Sequence, residues 1–130
     1  MALEKLQGQL SAFLSTWTEA AAGSSGAATA THAAEPNKSH YLTGFSCSAQ
    51  AASGSDPDMM ICTIKDDSST LISFTFQSSV IDDDAPGGDG PVVHSFASPI
   101  QITEGNETSI VLTGGAGGDK AYANLLGFTS

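Results

Sequence analysis

From residue 27 onward the apolar residues of this chain recur at every second position, in short runs that turn signals keep interrupting. That pattern lays an apolar face along strands and leaves none for a helix. His40–Gln50 is the clearest run. Tyr41, Thr43, Phe45, Cys47 and Ala49 alternate with Leu42, Gly44, Ser46, Ser48 and Gln50, and the first set is expected to look inward. Further strands are expected at 27–33, 59–65, 70–77, 92–97, 100–103, 108–113 and 120–129. Between them stand Pro36-Asn37, a loop holding Gly54 and Pro57, Asp66-Asp67-Ser68, a long break over 78–91, Pro99, Gly105-Asn106 and the glycine-rich 114–118. Proline cannot continue a ladder, and asparagine, aspartate and glycine suit turns. Eight short strands with no helical period between them predict an all-β, eight-stranded β-sandwich, jelly-roll-like in its strand number.

The first residues are patterned differently. Leu3, Leu6, Leu10, Phe13 and Trp17 fall three or four apart, and Leu14 widens the stripe. This is helical spacing, but Gly8 interrupts it and the seam is too short to stand alone as a coiled coil. Residues 1–19 are therefore read as a short N-terminal helix or an arm that must pack on its own domain or on a neighbour. Ala20 to Gly26 is small and uncharged and reads as a linker. The β-sandwich domain is then 27–130.

Charge removes whole classes of function. The chain carries 14 acidic residues against four lysines, with a net charge of −10. Binding nucleic acid requires a basic face that displaces counterions from phosphates. An anionic membrane surface is disfavoured for the same reason. No apolar run approaches the ~20 residues of a membrane-spanning helix. The N-terminus lacks the basic and apolar regions of a secretory signal. Synthesis in a cytoplasm is expected, and Cys47 and Cys62 are expected as two buried thiols.

Catalytic constellations are not apparent. His32, His40 and His94 fall on separate expected strands with no ligand spacing between them. Asp82-Asp83-Asp84 and Asp89 could offer oxygen ligands to calcium, but without the spacing of a calcium loop they read as a solvated acidic loop. No serine sits in a nucleophile elbow, and no basic residue near either cysteine would activate a thiol. The run Gly114-Gly115-Ala116-Gly117-Gly118 joins two strands and lacks the lysine of a phosphate-binding loop. Neither enzyme activity nor a cofactor is expected.

His40-Tyr41-Leu42-Thr43-Gly44-Phe45, preceded by Pro36-Asn37-Lys38-Ser39, resembles the small β-proteins encoded among the structural genes of tailed bacteriophages. The similarity continues in Ile61-Cys62-Thr63-Ile64-Lys65-Asp66 and in Asn124-Leu125-Leu126-Gly127-Phe128-Thr129, and spans 27–130 through these short motifs. It implies a virion component: a capsid decoration or cement protein, commonly a homotrimer. Such a protein sits on the capsid surface at junctions between major capsid protein subunits and reinforces the shell. In several such families an N-terminal arm reaches over the capsid or a neighbouring protomer. The seam of residues 3–17 has no counterpart in the resemblance. On its own pattern it makes Leu3, Leu6, Leu10, Phe13, Leu14 and Trp17 the expected assembly contacts. The alternative is a tail, neck or fibre-associated module that binds a host surface. That role calls for exposed aromatic residues in loops, whereas Trp17, Tyr41 and Tyr122 fall within expected elements.

Overall fold

The computed structural model describes residues 15–52, 54–80 and 90–130. They form eight strands: β1 Ser15–Gly23, β2 Ala28–His32, β3 His40–Gln50, β4 Met59–Asp66, β5 Ser69–Gln77, β6 Val92–Gln101, β7 Thr108–Thr113 and β8 Lys120–Thr129. Two four-stranded sheets result, ordered β1-β8-β3-β6 and β2-β7-β4-β5, and the ladders between these strands are antiparallel. Strands 1 and 8, 2 and 7, 3 and 6, and 4 and 5 are neighbours. This is the order left when one long hairpin is wound into two layers, the jelly roll. The described residues contain no helix.

Alternation explains the core. Leu42, Met60, Cys62, Ile64, Ile110, Leu112 and Leu125 point between the sheets and are fully buried. Ile102, just beyond β6, closes the layer at one end. Truncating one of the leucines to alanine would cost ~2–5 kcal/mol. The turns use the residues their geometry requires. Asn37 and Asp67 adopt φ of 62° and 52°, the left-handed region that asparagine and aspartate tolerate best after glycine.

Three expectations are corrected. Residues 15–23 are the edge strand β1, so the stretch 20–23 is not linker and the sandwich begins before residue 27. Trp17 accordingly stands on a strand and not on a helix. The leucines and Phe13 of the expected helix lie outside the described residues. The expected strands at 92–97 and 100–103 are one strand, β6, which runs through Pro99. β6 is an edge strand, and there proline sacrifices no ladder hydrogen bond if its missing donor faces outward. Finally, the register of β3 slips between Leu42 and Gly44 against both neighbours. This bulge reverses the alternation. Leu42 and then Phe45, Cys47 and Ala49 face the core, while Tyr41 lies outside, stacked on Phe128 at 4.9 Å.

Candidate functional site

Trp17 is the one expected contact residue within the described part of the chain, and it organises the flank where the sheets meet. Directly opposite it on β8 is Gly127. A Cβ at Gly127 would lie 2.5 Å from Trp17 Cζ2 and would also strike the Tyr41 carbonyl oxygen. Only glycine leaves room for the indole to lie over the neighbouring strand.

The indole stacks on His32 of β2, with centroids 4.0 Å apart and planes 8° from parallel. His32 Nδ1 donates to Glu19 Oε1 at 2.9 Å. Behind this pair sits His40, fully buried, its ring 4.5 Å from His32 and edge-on to it. Donor and acceptor roles here follow from chemistry. The Ala33 carbonyl can only accept, so His40 Nε2 donates to it at 2.9 Å. The indole N–H can only donate, so Thr129 Oγ1 accepts from Trp17 Nε1 at 3.1 Å. Thr129 then turns its own proton to His40 Nδ1 at 2.7 Å. The relay from Trp17 through Thr129 and His40 to Ala33 leaves no member unpaired. It locks β1, β8, β3 and the end of β2 together. The cluster thus acts as a clamp between the strands.

Two acidic constellations pin the loops at the ends of the sandwich. At one end the buried Asp119 receives Ala52 N at 2.9 Å and Ala116 N at 3.0 Å. Its carboxylate also accepts a hydrogen bond from the Asp58 carboxyl, which holds Asp119 below the usual range and Asp58 above it. Nearby, Gly115 N donates to Gly26 O at 3.1 Å, and a Cβ on either glycine would collide with the other's backbone. The glycine-rich loop is thus a close backbone crossing. At the opposite end Asp66 accepts from Thr103 N at 3.0 Å, Thr103 Oγ1 at 2.7 Å and Asn106 Nδ2 at 2.9 Å. Burial opposes its charge, but these three donors outweigh it and hold the carboxyl below its ordinary value.

Cys47 and Cys62 are free and buried on facing sheets, in hydrogen-bond contact. That contact and burial push the Cys62 thiol up. His94 lies apart from the other histidines, against Phe45 and Phe96. Among the described residues no three histidine, cysteine or acidic side chains are grouped to hold a metal ion.

The broad faces complete the picture. Among the described strands the charged residues are Glu19, Lys65, Asp66 and Lys120, and all but Glu19 stand at strand ends. The outer face of the β1-β8-β3-β6 sheet presents small and apolar side chains instead, with Val93 73%, Tyr122 42% and Leu126 39% exposed. It contains an open depression of about 370 Å³ walled by Thr16, Thr18, Thr43, Leu126 and Phe128. The outer face of the other sheet carries Thr29, Thr31, Thr63, Ser73 and Thr75, with Ile61 42% exposed among them. Sequence reading could not anticipate the clamp, because Glu19, His32, His40 and Thr129 are far apart in the chain and carry no motif.

The fold and this site define an eight-stranded jelly-roll sandwich with a bracing polar clamp and uncharged faces. No protein-family profile matches the chain, and no curated protein matches it significantly.

Proposed function

We propose that the chain is a structural virion protein that binds the outside of a phage capsid, at junctions between major capsid protein subunits, and stabilises the shell. The observation that carries a structural role is the segregation of charge. Among the described residues the acidic side chains other than Glu19 stand in loops or at a strand end, where they keep a free copy soluble, while the sheet faces offer largely neutral surface to neighbours. Repetition over a symmetric shell multiplies contacts that are individually modest. The resemblance of 40–45, 61–66 and 124–129 to phage structural proteins supplies the shell as partner and a three-fold grouping of copies as the expected arrangement.

On this reading the segment containing Leu3, Leu6, Leu10, Phe13 and Leu14 contributes to docking. It leads directly into β1, whose first residue, Ser15, pairs with Thr129. A truncation that tests its role must stop at residue 14, because removing 15–19 would take away the Trp17 clamp. The truncated chain is expected to keep its β-sheet circular dichroism and to lose occupancy on purified shells. Unchanged occupancy would remove the segment from the account.

A further inference from the structure

Among the described residues four strands carry free edges, β1 and β6 in one sheet and β2 and β5 in the other. Natural sheets guard such edges with charge, proline, brevity or a bulge. β2 has only 5 residues, β1 carries Glu19 and ends at Gly23, and β6 carries Pro99. β5 has one guard, a bulge at Leu71, where Ile64 pairs with Ile72 but Lys65 pairs with Thr70. Beyond it, Ile72–Phe76 has no charge, no proline and no glycine.

This open stretch is also where the core comes closest to the surface. Ile72 and Phe74 point inward yet are only half-buried. The Phe74 ring lies 5.7 Å from Phe45 and 6.2 Å from Phe76. Phe96, on the neighbouring edge strand β6, is half-buried as well and lies 5.9 Å from Phe45.

We propose that β5 is a contact between two copies of this chain, paired antiparallel about a two-fold axis through Phe74. The pattern Ile72-Ser73-Phe74-Thr75-Phe76 reads the same in both directions by character. In that register Phe74 meets Phe74 of the second copy, and Ile72 meets Phe76 of the second copy on the core side. Ser73 meets Thr75 of the second copy on the outer side. Aromatic and β-branched residues opposite one another, and hydroxyls opposite hydroxyls, are favourable cross-strand pairs. A second copy also fits the charge. Two chains of net charge −10 repel least where the contact itself carries no charge, and this edge is such a place. Pairing joins the two β2-β7-β4-β5 sheets into one and covers Ile72 and Phe74. The inference does not depend on the capsid reading, and a three-fold grouping would use other surfaces.

The test is sedimentation equilibrium of the full chain over a concentration series, with two double variants that alter the same exposed positions. Wild type is expected to pair. Ser73→Lys/Thr75→Lys sets like charges opposite each other across the axis and should weaken pairing by about tenfold or more. Ser73→Lys/Thr75→Glu sets opposite charges face to face in both rows and should pair as wild type does. A wild type that stays monomeric throughout overturns the proposal. So do double variants that associate equally well, or equally poorly.

Discussion

The Trp17 indole lies face to face with the His32 imidazole, 4.0 Å away, although the two residues belong to different sheets. The stack bridges the sandwich at its β1/β2 flank, and the hydrogen bond from Trp17 to Thr129 ties it into the closing strand. Trp17→Ala removes both, leaves a gap over Gly127, and is expected to cost about 2–4 kcal/mol, a little below a fully buried tryptophan. Urea denaturation followed by circular dichroism measures it. A loss below about 1 kcal/mol would show that the clamp does not brace the fold.

Thr129→Val keeps the volume of the side chain and removes its hydroxyl. The indole N–H and His40 Nδ1 then lose their partner in a buried setting. An expected loss of about 1–3 kcal/mol follows from leaving such groups unpaired. If unfolding curves for the variant overlay those of wild type, the relay through Thr129 is not holding the strands.

Gly127→Ala tests the fit over β8. The added methyl meets both the indole and the Tyr41 carbonyl, and the carbonyl belongs to backbone that cannot swing aside. Overpacking of this kind is expected to cost about 1–3 kcal/mol. Thermal melts of the variant would show it, and an unshifted midpoint would mean that the strand yields more readily than its register suggests.

The Asp58–Asp119 pair gives stability a dependence on pH with a definite sign. Asp58 is raised, first by its hydrogen bond to Asp119, so its contribution is present at low pH and fades as pH rises through its folded value. Asp119 is lowered, first by the same hydrogen bond, so its contribution is present above the unfolded value and is lost as pH falls through the folded one. Asp58→Asn supplies a donor to Asp119 at every pH. Relative to wild type, the variant should gain stability as pH rises from the acidic range to neutrality. Denaturation midpoints across that range decide it, and a constant difference between the two proteins would exclude the shared proton.

Much of this fold could be read from the sequence, because apolar side chains alternate with serine and threonine along β3, β5 and β7. β1 could not. Its outward Thr16, Thr18, Ala20 and Ala22 and its inward Glu19 and Ala21 differ too little in hydropathy to show a period of two. Trp17 falls at helical spacing from Leu10 and Phe13 yet stands on β1. The bulge in β3 had one visible signal, Gly44 inside an otherwise regular strand, and the alternation of Tyr41 and Thr43 with Phe45 concealed it. Pro99 likewise marks an edge strand as readily as a break. The clamp was beyond sequence reading for a different reason: tertiary pairing alone brings Glu19, His32 and Thr129 to one place.

The most direct test of the structural role is quantitative mass spectrometry of purified particles produced from the genome that encodes this chain. The account predicts the chain on intact particles in a copy number comparable to that of the major capsid protein. It also predicts that shells stripped of the chain break at a lower temperature. Particles that lack the chain, or that carry it only in the few copies of a tail or neck component, would contradict it.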